Sequence, residues 1–396
     1  MRNKSVLITG ATGIMGSWVL GEALARGYEP TVLMRDADPS RARQRLAAVL
    51  RLQGLEASLE RVNVALGDTR MPDLGLAADE VARLRSSLGG MIHCAASTSF
   101  NPRCDAELWA TNVGGVANVL HFLAGSGIPL YHISTAFVAG KRRGLVYESE
   151  LDLNQGFNNT YERSKCESES LVKEAMAKGS VQAAIFRPAI IIGAATDGCI
   201  TQFMNFYSFL RFMDIASTRR SDKQMVMRVK ANPDATKNLV PVDWTTRALW
   251  HIIEKEGPSG KTYHLTNPNP VTIASLNEWA NTYVDGRLKM EFSGRLDGEL
   301  NPLERTANAS FRLYNAYLQD EPAFDRTNTD TALAGALPFP EVGPDLYKKM
   351  IEFARSQNWK GIFGCQINIS RVSEDDAAAP MDADVESEAV SSGVSV

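Results

Sequence analysis

Cysteine clusters and long apolar runs are both scarce in this sequence, and their absence excludes several classes of protein. None of the five cysteines belongs to a C-x-x-C pair or to a metal-ligand spacing, so we expect reduced thiols and no metal site. No stretch approaches the roughly 18 apolar residues of a membrane span. The apolar segment near the N-terminus, Ser5–Thr9, is too short for the core of a signal peptide. We therefore expect a cytoplasmic protein without a membrane span.

Positive charge is not in excess either. The chain has 42 Lys and Arg against 46 Asp and Glu, with a formal net charge of −4. Seven of the acidic residues follow Arg371 and no Lys or Arg does, which leaves the body of the chain close to neutral. A nucleic-acid partner is not expected, because such proteins carry a dominant basic patch. The tail, residues 373–396, lacks aromatic residues and is predicted to be disordered. It serves to solubilise the protein or to dock a partner, and we favour the first.

Apolar, β-branched runs alternate with amphipathic stretches over the first half of the chain. The runs that predict strands are residues 5–9, 30–34, 61–66, 90–94, 128–134 and 181–187. The helical patterns lie near residues 14–26, 40–53, 79–88, 105–124 and 158–178. Strands that are apolar on both faces and separated by helices indicate a parallel sheet covered on both sides. Right-handed crossovers make such a sheet doubly wound. We therefore predict an α/β Rossmann domain over residues 1–195.

The pattern loosens over residues 196–372, for which we expect a mixed region with a partly helical cap at 286–345. Gln202–Met213 is rich in Phe, Met and Tyr and predicts a helix that lines an apolar pocket or lies in an ordinary core. A strand, a helix and a second strand between about residues 239 and 265 are expected to return to the Rossmann domain. The remaining predicted helices are Ile273–Asp285 and Leu346–Trp359.

Three glycines follow the first predicted strand and open the first predicted helix. Gly10, Gly13 and Gly16 have the spacing G-x-x-G-x-x-G. A tight turn that approaches a pyrophosphate closely needs residues without a Cβ, and the helix N-terminus offers free N–H groups to the phosphates. The context of strand, glycines and helix therefore predicts a dinucleotide-binding loop, in which Thr12, Ile14 and Met15 also contact the cofactor.

The end of the second predicted strand should read the ribose of the cofactor. Arg35 stands there, followed by Asp36. A guanidinium binds a 2′-phosphate and an acidic residue accepts from a 2′-hydroxyl, so we expect NADPH, with the alternative that Asp36 reads the ribose. Asp68, after the third predicted strand, either contacts the adenine or caps the following turn, and Thr69 is expected beside the cofactor.

Tyr161 and Lys165 lie four residues apart at the start of a predicted helix. This spacing brings the phenol and the ammonium onto one face. The cation is expected to depress the pKa of the Tyr161 phenol, so that this residue exchanges a proton near neutral pH. Thr135 or, less favoured, Ser134 ends the fifth predicted strand and would donate to a developing oxyanion. The alternative for Ser134 is a hydrogen bond to its own backbone.

These motifs, together with Asn112 in Thr-Asn-Val-Gly-Gly and Arg187-Pro188-Ala189, resemble the extended short-chain dehydrogenases/reductases over roughly residues 4–285. Within that superfamily, the stretch from His132 to Tyr161 is most similar to the branch of fatty acyl-CoA reductases and terminal thioester reductases. Val138-Ala139-Gly140 departs from the V-Y-G of many extended members, which argues against a sugar-nucleotide epimerase.

The resemblance implies a role for each matching residue. Thr135, Tyr161 and Lys165 would form the catalytic triad, and Asn112 would hold a water that relays protons to Lys165. Further cofactor contacts are expected from Ala95, Pro188 and Ala189, the last two beside the nicotinamide.

The expected activity is NADPH-dependent reduction of an acyl thioester, free or bound to a carrier protein, to an aldehyde or alcohol. The alternatives are a reductase or dehydrogenase of a free ketone, aldehyde, sterol or sugar nucleotide, and a non-catalytic NADP sensor. We expect no adenylation or carrier domain in a chain of this length, and we expect a carrier-bound substrate to come from a separate protein. Residues 196–372 would shape the substrate pocket.

Overall fold

A seven-stranded parallel sheet forms the centre of the protein in the computed structural model. The structure describes residues 1, 3–218, 225–296, 298–301, 304, 305, 307 and 312–363. The strands are β1 (Ser5–Thr9), β2 (Glu29–Met34), β3 (Asn63–Leu66), β4 (Gly90–His93), β5 (Leu130–Ile133), β6 (Leu145–Val146), β7 (Ala183–Pro188), β8 (Ile190–Ile192), β9 (Met225–Lys230), β10 (Thr236–Lys237), β11 (Leu239–Pro241), β12 (Thr262–Leu265), β13 (Val271–Thr272), β14 (Leu288–Ser293) and β15 (Ala323–Phe324).

Helices connect and cover these strands. The α-helices are α1 (Ile14–Ala25), α2 (Pro39–Leu52), α3 (Ala78–Ser87), α4 (Asp105–Trp109), α5 (Gly115–Leu123), α6 (Thr160–Ala177), α7 (Phe206–Thr218), α8 (Val242–Glu256), α9 (Ile273–Tyr283), α10 (Thr327–Leu333) and α11 (Pro344–Ser356). Short 3₁₀ turns occupy Glu56–Arg61, Pro72–Gly75, Pro102–Cys104, Ala136–Ala139 and Arg312–Leu318.

The strand order of the main sheet is β12-β7-β5-β4-β1-β2-β3, with every neighbouring pair parallel. The direction of winding reverses between β1 and β4, which opens a crevice at the carboxyl ends of these two strands. Side chains alternate across the sheet: Val6 and Ile8 pack beneath α1 and α8, whereas Leu7 packs on the α5 and α6 side. The predicted doubly wound α/β fold is confirmed.

The structure departs from the sequence prediction in three elements. The helix expected near residues 105–124 is interrupted by a π turn at Ala110–Gly114, between α4 and α5. The helix expected at Gln202–Met213 begins only at Phe206. Of the two strands expected to return to the Rossmann domain, β12 joins the main sheet beside β7, whereas β11 pairs with β8 outside that sheet. The predicted tail at 373–396 lies outside the described residues.

A second apolar cluster underlies the later part of the chain. Residues of α7, α9 and α11 share it with Met227 and Leu288, from the parallel pair β9 and β14. Ile14 of α1 packs against the cluster, so it adjoins the loop that follows β1. No helix in the described part of the chain is long and apolar enough to cross a membrane.

Candidate cofactor and active site

One cavity of about 660 Å³ opens at the carboxyl ends of β1, β4 and β5. Its wall includes every site residue predicted from the sequence except Asn112. The predicted residues that line it are Gly10, Thr12, Gly13, Ile14, Met15, Gly16, Arg35, Asp68, Thr69, Ala95, Thr135, Tyr161, Lys165, Pro188 and Ala189. The fold therefore brings together motifs that lie up to 180 residues apart in the sequence.

The loop after β1, residues 10–16, forms a glycine cradle, and at two of its glycines there is no room for a side chain. Gly10 has a φ of +70°, and a Cβ there would lie 2.8 Å from the backbone nitrogen of Ala95. A Cβ on Gly16 would lie 2.2 Å from the Gly10 carbonyl oxygen. No side chain caps the start of α1, so its first N–H groups are free to bind an anion. This cradle fits the pyrophosphate of a dinucleotide.

Two arginines lie near the end of β2. Arg35 is exposed and lines the cavity. Arg45, from α2, also lines it and donates to the Thr12 hydroxyl at 3.2 Å. The Asp36 carboxylate is paired with Arg45 at 3.6 Å and with Arg41 at 3.7 Å. Sequence reasoning missed Arg45, for which the only signal was a cation on the helix that follows β2.

Asp68 caps the turn that follows β3, as one of the two expectations for it had it, and its contact with the adenine stays a prediction. Its carboxylate accepts from the backbone and the guanidinium of Arg70, at 2.9 and 2.7 Å, and it lines the cavity. The hydrogen bond from the Arg70 side chain holds the pKa of Asp68 below its ordinary value. This carboxylate therefore stays ionised beside the cofactor cradle.

The catalytic candidates meet where β5 faces the start of α6. Asn159 caps α6 by accepting from the Glu162 amide at 3.0 Å, which fixes the first turn and with it Tyr161. One turn later, the Lys165 ammonium donates to the Ile133 carbonyl at 2.8 Å. Thr135, just after β5, is buried, and its hydroxyl donates to the Pro188 carbonyl at 3.4 Å.

The electrostatics of this group correct the expected depression of the Tyr161 pKa. Burial raises the pKa of Tyr161 to about 12, and a hydrogen bond with the Thr135 hydroxyl offsets only part of that rise. Burial also lowers the pKa of Lys165 to about 8. The prediction was wrong because removal from water outweighs the Thr135 hydrogen bond, and the Glu162 carboxylate raises the pKa of Tyr161 further. Tyr161 is thus a protonated phenol at neutral pH, suited to donating a proton.

Asn112 lies behind the cavity wall, in the π turn between α4 and α5. Its side-chain amide donates to the Ser97 carbonyl at 3.0 Å and to the Ser164 hydroxyl at 2.9 Å, and its Oδ1 accepts from the Ser97 amide at 2.8 Å. Both amide hydrogens are thereby used. Among the described residues, Asn112 anchors the segment after β4 to α6 and does not line the cavity.

The rest of the cavity has an apolar wall. We use this name for six side chains: Met204, Phe206, Phe209, Met227, Met290 and Phe292. Leu210, Phe212 and Met213 of α7 lie in the second apolar cluster and do not line the cavity. Some side chains of α7 therefore line the cavity and others pack in the core, so this segment fits both the pocket and the core interpretation.

Aromatic rings surround Tyr161 at the junction of cradle and apolar wall. The ring of Phe100 lies 5.8 Å from that of Tyr161 and 5.9 Å from that of Tyr317. Phe137 meets Tyr317 edge to face at 5.6 Å. Sequence reasoning missed all three rings, because Phe100 and Tyr317 lie outside the recognised motifs and approach Tyr161 only through the tertiary fold.

A buried ion pair joins α6 to β7. Arg187 of β7 and Glu169 of α6 are fully buried and meet at 2.6 Å. Arg187 also donates to the Glu150 carbonyl and contacts the His264 ring. Since breaking such a pair leaves an uncompensated buried charge, it locks α6 onto the sheet and so positions Lys165.

Comparison with known proteins agrees with this architecture. A family model described as male sterility protein, of an NAD-binding type, matches residues 8–249. A nonribosomal peptide synthetase of Aspergillus flavus is 29 % identical over 279 residues, which cover 67 % of this chain and 26 % of the synthetase. Fatty acyl-CoA reductase 1 of Arabidopsis thaliana is 26 % identical over 357 residues, covering 71 % of this chain and 70 % of the relative.

A solved structure shares the fold. The terminal R domain of a myxalamid PKS-NRPS pathway superposes with a TM-score of 0.75 at 24 % identity, covering 90 % of this chain and 91 % of the domain. The chain spans about a quarter of the length of the Aspergillus synthetase, so it corresponds to one portion of that protein. The matched family model covers most of the Rossmann domain, including the glycine cradle and the Tyr161/Lys165 pair. The chain belongs to the male sterility protein family of NAD-binding proteins.

Proposed function

We propose that this protein reduces an acyl thioester with NADPH. The observation that carries the proposal is the continuity of one cavity, in which the glycine cradle, the Thr135/Tyr161/Lys165 group and the apolar wall adjoin. A cavity of this size with a largely apolar lining suits a flexible acyl chain. The relatives support the substrate class, because they include peptide synthetases and a fatty acyl-CoA reductase.

The chain's own side chains would stabilise the reacting oxygen. When bound, the cofactor supplies the hydride, which adds to the thioester carbon and leaves negative charge on its oxygen. Thr135 and Tyr161 would donate hydrogen bonds to that oxygen, where a preorganised donor is worth most. Because its pKa is raised to about 12, Tyr161 holds a proton that it can give.

Lys165 would hold its ammonium between the cofactor ribose and the Tyr161 phenol, supported by the Ile133 carbonyl. Asn112 would act by fixing the backbone next to α6. Collapse of the tetrahedral adduct breaks the carbon–sulfur bond, and the thiolate leaves and takes up a proton. The product is an aldehyde, which a second hydride from a second NADPH could convert to the alcohol.

The preference for NADPH rests on Arg35 and Arg45, two cations at the end of β2 that would bind the 2′-phosphate. Asp36 would not accept a hydrogen bond from the ribose, because its carboxylate is already paired with the guanidinium groups of Arg41 and Arg45. The thioester would arrive on coenzyme A or on a carrier protein, and residues 196–372 would bind its acyl chain.

The test is a substrate panel with purified protein. We expect NADPH consumption with acyl-CoA or acyl-carrier thioesters and recovery of the aldehyde or alcohol. The Tyr161→Phe variant should lose turnover while its dissociation constant for NADPH stays unchanged. Tyr147→Phe is the matched control, because Tyr147 is 49 % exposed and does not line the cavity. Turnover of free ketones with no reaction on any thioester would refute the proposal.

A further inference from the structure

Lys237 is a charged side chain that lines the same cavity as the apolar wall. It lies on β10 opposite Val271 of β13, and the helix that follows β13 contributes Ile273 and Leu276 to the same cavity. Lys237 is only 5 % exposed. A buried ammonium in apolar surroundings is costly unless it is both paired and hydrogen-bonded.

The anions near Lys237, Glu321 and Asp320, do not fully meet this need. The Glu321 carboxylate lies 3.7 Å from the Lys237 ammonium, an ion pair that is too long for a hydrogen bond. No described residue is within hydrogen-bond distance of the Lys237 nitrogen. Burial lowers the pKa of Lys237 and raises that of Glu321, so the mutual attraction does not repay the loss of water.

A second polar group stands in the same lining. Asn277 of α9 lines the cavity, and its Oδ1 is buried without a hydrogen-bond partner among the described residues. Polar groups placed in an otherwise apolar pocket fix the orientation of a ligand and set its specificity. Lys237 offers donors only, whereas the Asn277 amide offers both a donor and an acceptor. An amide in the ligand carries both a donor and an acceptor, so each of these side chains could bind one.

We propose that Lys237 binds an oxygen atom carried by the acyl chain, so that the cavity selects amide-bearing, peptidyl-type thioesters over plain alkyl thioesters. This inference rests on the thioester reductase activity proposed above. The position of this oxygen along the acyl chain is inferred from a backbone hydrogen bond next to Lys237. The Asn238 carbonyl, next to Lys237, accepts from the Ile190 amide at 3.0 Å, and Ile190 follows Ala189. The Lys237 backbone therefore lies near Ala189, and we take the bound oxygen to belong to the part of the acyl chain nearest the thioester.

The acyl chain, and not the thiol arm, is the source of this oxygen. Lys237 and its neighbours on β13 and α9 belong to the enclosed, apolar part of the site. The acyl chain is the part of the substrate that this environment suits.

The experiment compares two thioesters of equal backbone length, those of N-hexanoylglycine and nonanoic acid, both on N-acetylcysteamine. The kcat/KM for each is measured with NADPH for the full chain. We expect the wild type to prefer the amide-bearing substrate, and Lys237→Met to lower this selectivity ratio about ten-fold, as expected for one charged hydrogen bond. Lys261→Met, which removes a half-exposed lysine paired with Glu256, should keep the wild-type ratio.

Other outcomes separate the alternatives. An equal loss of kcat/KM on both substrates would assign Lys237 a structural role and overturn the inference. In that case the double variant Lys237→Met/Glu321→Gln, in which neither partner of the pair is charged, must give the same selectivity ratio as the wild type. A loss seen only when nonanoyl-pantetheine replaces the short thiol would assign Lys237 to the thiol arm and also overturn it.

If the wild type reduces neither thioester, the proposed activity fails and binding decides the inference separately. The cysteamine amides of the two acids cannot react in the same way, and their affinities can be measured by protein fluorescence with NADP⁺ present. A weaker affinity of Lys237→Met for the N-hexanoylglycine ligand alone would support the inference, and an equal change in affinity for both ligands would overturn it.

Discussion

The replacement of Arg45 by Gln tests how the site recognises its cofactor. The Arg45 side chain is about one-third exposed and lies between the Thr12 hydroxyl and the Asp36 carboxylate. A hydrogen bond between charged groups contributes about 1.5–3 kcal/mol. Because Arg45 is partly screened by solvent, we expect the lower part of that range, which corresponds to a roughly ten-fold weaker affinity for NADPH.

The change should act on NADPH and not on NADH. Without the guanidinium, the Asp36 carboxylate loses one of its two partners and repels a 2′-phosphate, whereas a 2′-hydroxyl can donate to it. The dissociation constant for NADH divided by that for NADPH should therefore fall by at least the same factor as the affinity for NADPH. Titration of the protein with each cofactor, followed by cofactor fluorescence at low and high salt, measures both constants.

Arg41→Gln is the matched control. Arg41 also pairs with Asp36, at 3.7 Å, but its side chain is 73 % exposed and it does not line the cavity. We expect Arg41→Gln to leave the ratio unchanged. If both variants lowered the ratio equally, or if Arg45→Gln weakened NADPH and NADH alike, a contact with the 2′-phosphate could not be the reason.

Three further predictions concern Lys165, the buried ion pair of its helix and the glycine cradle. Because burial lowers the pKa of Lys165 to about 8, its ammonium is present below that pH and lost above it, so kcat/KM should fall as pH rises through about 8; a flat profile to pH 10 would contradict a role for the charge. Glu169→Gln leaves Arg187 as an uncompensated buried charge and should cost about 3–5 kcal/mol in urea unfolding; a loss under 1 kcal/mol would show that the pair does not secure α6. Gly10→Ala should destabilise the protein by more than the 1–2 kcal/mol expected from its positive φ alone, because the new Cβ also meets backbone atoms. Gly27→Ala, at a similar φ in open space, measures the conformational part, and equal losses would exclude the steric clash.

Local sequence determined the Rossmann half of this protein in some detail. The strand predicted at residues 5–9 is β1, Ser5–Thr9, because a strand buried on both faces shows as a continuous apolar run. The helix with Tyr161 and Lys165 also follows from its own residues, since Asn159 caps its first turn. The glycine spacing was informative because only glycine fits where backbones nearly touch.

Other features were decided by contacts between distant segments. The sequence pattern could not show the π turn around Asn112, because the side-chain bonds to Ser97 and Ser164 join segments outside that helix. Nor could it show that Arg45 reaches Thr12 across 33 residues. Periodicity describes one element at a time, whereas these contacts depend on how elements pack.

The Tyr161/Lys165 pair shows the same division. The sequence by itself determined that the phenol and the ammonium share one face of a helix, because that follows from helical geometry. The tertiary structure decided their proton affinities: burial raises the pKa of Tyr161 and lowers that of Lys165. Proton affinity depends on the water and charge that surround a group, and those surroundings are supplied by the whole fold.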